Sequence, residues 1–104
     1  MNPRTSNHSI SIIIPVYNEE GNIRNTLHAA LAAFPEICPD FEIVVVESGS
    51  TDNSLRIIRE EAEKYKNIIV FHQERKEGMG SALREGYRHC TKEWVCHLEA
   101  DRAF

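Results

Sequence analysis

Four short apolar runs alternate with three amphipathic stretches along the chain. Ile10-Ser11-Ile12-Ile13-Ile14, Glu42-Ile43-Val44-Val45-Val46, Ile68-Ile69-Val70-Phe71 and Trp94-Val95-Cys96-His97-Leu98 are rich in apolar side chains and lack strict polar alternation. All four read as strands, the first as one buried on both faces. Between the first two, Ile23, Leu27, Ala30, Leu31 and Phe34 fall at i, i+4, i+7, i+8 and i+11, one face of a helix that Pro35 and Pro39 are expected to close. Leu55, Ile58, Ala62 and Tyr65 mark a second buried stripe, with Ser50 as the expected N-cap and Asp52 in the first turn. Leu83, Gly86, Tyr87 and Cys90 mark a third stripe, after a charged loop from Gln73 to Gly80. Trp94 is expected in the core.

The order β-α-β-α-β-α-β predicts an α/β fold: three layers, with an open parallel sheet of Rossmann-like type between helices. The commonest doubly wound arrangement places the strands in the order 3-2-1-4, with the chain direction reversing between strands 1 and 4. Ligands in such sheets bind beyond the carboxyl ends of the strands, at that reversal. Pro15-Val16-Tyr17-Asn18-Glu19 and Glu99-Ala100-Asp101 meet there, with Glu47 and Ser48 alongside.

Length and charge narrow the picture. A chain of 104 residues makes one domain. Residues 1–9 read as a loose, disordered N-terminal tail without the apolar segment of a signal peptide, and residues 10–104 as the folded unit. The net charge of −4 argues against a nucleic-acid platform. Three cysteines without a Cys-x-x-Cys pair read as reduced thiols of a cytoplasmic protein. No run is long enough to span a membrane.

The strand-end residues carry the candidate chemistry. Glu99 and Asp101, two apart, offer oxygen ligands to one hard divalent cation, Mg2+ or Mn2+, which in turn would neutralise a diphosphate. The bland alternative is a solvated acidic loop. Tyr17 offers a flat face to a base and Glu19 an acceptor; the loop also reads as a simple helix start capped by Asn18 or Asn22. Gly78-Met79-Gly80 allows close backbone approach, and Arg75, Lys76 and Arg84 flank it as cations. It is neither a dinucleotide fingerprint nor a P-loop: the third position holds Leu83, and no Gly-Lys-Ser/Thr follows. His97 reads as a packed or hydrogen-bonded side chain rather than a ligand.

Together these motifs resemble family 2 glycosyltransferases of the GT-A type. The resemblance runs from about Ile10 to Asp101, through Ile12 to Glu19, Ile43 to Asp52, Gly78 to Gly86, and Leu98-Glu99-Ala100-Asp101 in the place of an Asp-x-Asp motif. It implies a nucleotide-diphosphate-sugar donor and a divalent metal. Nucleotide-binding roles fall on Pro15, Tyr17, Glu19, Glu47, Gly78 and Glu99, and metal-binding roles on Asp101 and Glu99. The family usually carries two Asp after strand 2, where Glu47 and Ser48 stand here, and Asp where Glu99 stands. Its catalytic domain is longer, so the chain is expected to be the nucleotide-binding half of a truncated GT-A fold. On that reading the isolated chain is inactive, the full-length parent inverts the anomeric centre and associates with membranes peripherally, and the bare edge of strand 4 favours self-association. A non-catalytic nucleotide-binding or interaction module is the alternative.

Overall fold

The structure, a computed structural model, describes residues 8–101. Its elements are β1 (Ser9–Val16), α1 (Ile23–Ile37), β2 (Asp40–Ser48), α2 (Ser54–Lys64), β3 (Ile68–Gln73), α3 (Met79–His89) and β4 (Trp94–His97). All pairings are parallel, in the order β3-β2-β1-β4. This is the expected topology. The expected tail lies outside the described residues except for His8 and Ser9, and Ser9 already pairs with Asp40 at the start of β1. Arg102 to Phe104 also lie outside them.

Alternation along the central strands divides the core. Ile12, Ile14, Val16, Ile43 and Val45 face α1 and α2, where Ile23, Leu27, Ala30, Phe34, Ile57 and Ile58 complete the larger cluster. Val44 and Val46 face α3, meeting Ala82, with Phe71 and Cys90 at the margin. Ile13 packs on Gly86 on that side. Helices therefore cover both faces, and β1 from Ser11 to Ile14 and β2 from Phe41 to Ser48 are buried, as their near-continuous apolar composition requires. Cys38, Cys90 and Cys96 are free thiols. No described helix is long and apolar enough to cross a membrane.

Several local expectations are corrected. Pro35 does not end α1 but lies in its last turn, where only one backbone bond is lost. Pro39 does act as a stop: Cys38 before it is extended (φ −154°), as a residue preceding proline prefers. Ser50 is not the cap of α2, which begins at Ser54. Asp52 precedes the helix, and its carboxylate accepts from the Ser54 amide at 2.9 Å. Trp94 is not core, being 56% exposed, because β4 is an edge strand and the tryptophan sits at its start. Tyr87 is likewise 54% exposed; the buried stripe of α3 runs through Ala82 and Gly86, one position behind it. His97 is exposed.

Candidate functional site

The carboxyl ends of the strands deliver their loops to one cleft of about 500 Å³, within the ~300–1,000 Å³ usual for small-molecule sites. Pro15, Val16, Tyr17 and Glu19 come from the β1–α1 connection, Ser48 from the end of β2, and Lys76, Gly78, Met79 and Ala82 from the β3–α3 connection and α3. Glu99, Ala100 and Asp101 close it from beyond β4. The cleft thus lies where strands β1 and β4 part, the position the topology dictates.

Each wall is tied in place. The Thr26 hydroxyl of α1 donates to the Ala100 carbonyl at 2.5 Å, fixing the Glu99–Asp101 segment from below. The Glu19 amide donates to Ser54 Oγ at 2.7 Å, and the Glu19 carboxylate accepts from Asn22 Nδ2 at 3.1 Å. Asn18, in the left-handed region at φ +51°, caps neither its own helix nor the cleft. Its amide donates to Ser50 Oγ at 3.0 Å, and its Oδ1 accepts from the Thr51 amide at 2.8 Å and from Asp52 N at 3.3 Å. Asn22 occupies the N-cap position of α1 without a side-chain cap bond. Burial pushes the Asp52 carboxyl up. The Ser54 hydroxyl and amide and the Glu20 amide outweigh this and hold it below its ordinary value.

Of the residues expected at the site, Pro15, Tyr17, Glu19, Gly78, Glu99 and Asp101 line the cleft, and Glu47 does not. Glu47 is fully buried; its carboxylate accepts from the Ser50 amide at 2.6 Å and pairs with His72 Nδ1. Ser48 lines the cleft instead, its hydroxyl donating to Gln73 Oε1 at 2.6 Å. Of the three flanking cations, Lys76 lines the cleft and stands 4.1 Å over the Tyr17 ring; Arg75 and Arg84 do not line it. Met79, whose side chain lies among the exposed large apolar groups, was not anticipated and carries no sequence signal beyond its place between two glycines.

Electrostatically the cleft is acidic: Glu19, Glu99 and Asp101 face Lys76. Among the described residues no group of three or more His, Cys, Asp or Glu converges on one point. Glu99 and Asp101 contribute two carboxylates to the lining of the cleft. That pair fits a hard cation of the magnesium type, which takes one or two protein carboxylates and completes its shell with water and substrate phosphates.

The sequence profile of Glycosyl transferase family 2 matches residues 11–104. An undecaprenyl-phosphate 4-deoxy-4-formamido-L-arabinose transferase of Pseudomonas fluorescens (strain SBW25) is 34% identical over 95 residues, covering 90% of this chain and 28% of the relative. The protein of the same name from Edwardsiella ictaluri (strain 93-146) is 34% identical over 93 residues, covering 88% and 29%. Among solved structures, the mannosyltransferase PcManGT of Pyrobaculum calidifontis, in complex with GDP-Man and Mn2+, superposes with a TM-score of 0.86 at 29% identity, covering 96% of this chain and 29% of that one. S. aureus TarS 1-349 in complex with UDP-GlcNAc superposes with a TM-score of 0.77 at 32% identity, covering 89% and 26%. The chain thus spans less than a third of the length of these relatives.

Proposed function

Because the chain belongs to glycosyl transferase family 2 and has the fold of its GT-A members, we propose that its cleft binds the nucleotide-diphosphate part of a sugar donor together with a divalent metal. The observation that carries this reading is the convergence of Tyr17, Lys76, Glu99 and Asp101 on one cleft at the strand reversal. Tyr17 presents a ring for stacking on a base, and Lys76 supplies positive charge from the facing loop, 4.1 Å from that ring. Pro15, Glu19, Ser48 and Gly78 shape the nucleoside end, Ser48 taking the cleft position first assigned to Glu47.

Three acids against one lysine make the cleft repulsive to a bare diphosphate. Glu99 and Asp101 hold the metal that corrects this. When bound, the metal supplies Lewis-acid stabilisation of the departing nucleotide diphosphate. The donors GDP-Man and UDP-GlcNAc seen with the two structural relatives support a nucleotide sugar as ligand class. Transfer with inversion rests on family resemblance alone. The free thiols support a cytoplasmic setting. Because the 104-residue chain spans less than a third of these relatives' length, the proposal extends to donor binding without turnover.

Calorimetric titration with UDP and GDP, each with and without Mn2+, tests the reading. Binding of at least one nucleotide, strengthened by the metal and lost on Asp101→Asn, is expected. No heat with either nucleotide under any condition would sink it, and sugar release by this chain alone would refute donor binding without turnover.

A further inference from the structure

Glu47 is one of two acids with no exposed surface among the described residues. The other, Glu61, is met by Arg24 at 2.5 Å, by His28 and by Lys64 at 3.7 Å, on the helical side of the molecule. Glu47 instead meets a single basic side chain, His72, which is partly exposed and stands opposite it in the register of β2 and β3. The other ring nitrogen, Nε2, lies 3.4 Å from the Glu74 carboxylate. Of the α2 residues packed toward the sheet, Ser54, Ile57 and Ile58 are uncharged and Glu61 is engaged as described. Asp52, ahead of α2, is occupied by the Ser54 and Glu20 amides. Among the described residues, the carboxylates within ion-pair distance of the ring are Glu47 and Glu74.

What Glu47 holds gives this pair its reach. Its second oxygen accepts from the Ser50 amide at 2.6 Å, at the heart of the loop 49–53. That loop carries both walls of the cleft. On one side Ser50 Oγ and the Thr51 amide grip Asn18, the residue after Tyr17. On the other, Gly49 lies against the next loop so closely that a Cβ there would sit 2.8 Å from Lys76 N. Gly49 also needs its φ of +57°, which other residues rarely adopt. Lys76 and Tyr17 then meet across the mouth.

We propose that His72 is a positioning residue of the donor site, acting through Glu47 and the loop 49–53 on both cleft walls, and that its protonation tightens the site. With both ring nitrogens near carboxylates, the imidazolium donates from Nδ1 to Glu47 in a charge-assisted bond and faces Glu74 from Nε2 as an ion pair. The neutral ring can donate to only one of them and leaves the buried Glu47 charge facing no cationic ring, a costly arrangement in a desolvated place. The loop that Glu47 anchors is then held less firmly, and Tyr17 and Lys76 lose their common support. His72 does not line the cleft, so the effect is on geometry, not on contact. The inference rests on the donor-binding reading for its functional consequence only.

The test follows the 104-residue chain by NMR over a pH series from about 5 to 8, alongside titrations with UDP and GDP in the presence of Mn2+. The amide signals of Ser50, Thr51 and Asn18, and the signals of the Tyr17 ring and Lys76, are expected to move with the midpoint of the His72 ring. Nucleotide affinity is expected to fall by about five-fold or more across the range, the lower end of ordinary coupling between sites. His72→Gln, which keeps a neutral donor, is expected to flatten the loop titration and that share of the affinity change. Nucleotide and metal ionisation persist in the variant and cancel in the comparison. Loop and cleft signals that ignore the wild-type His72 midpoint overturn the inference, even if the variant does not fold. An unchanged pH profile of affinity in the variant overturns the link to the donor. A wild-type chain that binds no nucleotide refutes the donor reading instead, and the Tyr17 and Lys76 signals still decide the positioning role.

Discussion

At Gly86, α3 approaches β1 so closely that a Cβ would lie 2.5 Å from Ile13 Cγ2. Ile13 is fully buried and is held on both sides by β2 and β4, so it cannot retreat. Gly86→Ala is therefore expected to destabilise the fold by about 1–3 kcal/mol, the usual range for overpacking. Gly80→Ala, whose Cβ would meet only the Arg84 side chain at 3.4 Å, is expected to be neutral or slightly stabilising. Urea unfolding of both variants measures the contrast, and equal midpoints would show that the helix can shift. The same one-residue sensitivity explains what the sequence disclosed about the cleft. Pro15, Tyr17, Glu19, Gly78, Glu99 and Asp101 were legible as neighbours because parallel topology alone gathers strand ends. Glu47 was not, because it looked like a loop residue beyond a strand ending at Val46. Strand β2 in fact continues through Ser48, so alternation still governs. Glu47 shares the face of Ile43 and Val45, under the start of α2, and Ser48 shares the other and reaches the cleft.

Elements are joined away from the cleft by one polar network at the opposite end of the sheet. Buried Glu42 of β2 accepts from Ser11 Oγ of β1 at 2.6 Å, and from the amide and hydroxyl of Thr91, before β4, at 2.8 and 3.0 Å. Burial pushes the Glu42 carboxyl up, but the Ser11 and Thr91 hydrogen bonds and the nearby Lys92 charge outweigh it and hold the group below its ordinary value of 4.5. A carboxyl lowered by folding contributes stability above its unfolded value, and that contribution is lost as pH falls through the folded value. Glu42→Gln is expected to lower stability at neutral pH and to flatten the loss of stability below about pH 4.5. Unfolding midpoints measured from neutral to acid pH check this, and parallel curves for wild type and variant would contradict it. Element identity was readable throughout, since continuous apolar runs can be satisfied only between two helical layers. Element ends were not. Ser50, Asp52 and Asn18 are ordinary capping residues, yet each serves a neighbouring loop, and no local pattern distinguishes a cap from a bond made 32 residues away.

On the scale of the whole molecule, the described sheet has two edge strands, β3 and β4, and β4 is the one that opens with an exposed tryptophan. Strand β4 pairs with β1 through Ile10 to Ile13 and presents its other edge outward. Trp94 opens that edge with 56% of its surface exposed, held by an edge-on contact with His8 at 5.6 Å. An unpaired strand edge beside an exposed aromatic is a template for pairing with another chain. The modest net charge of −4 offers little repulsion against it. The isolated 104-residue chain is therefore expected to self-associate through β4 as its concentration rises. Trp94 is the single tryptophan, so its emission reports burial of this edge directly. A blue shift with concentration, in step with a rising mass in sedimentation velocity, is the expected result. Trp94→Lys should keep the chain monomeric at little expense to the fold, because it replaces exposed surface with a charge of the kind that natural edge strands carry. Emission and mass that stay constant over the accessible range would show that the edge is protected in solution.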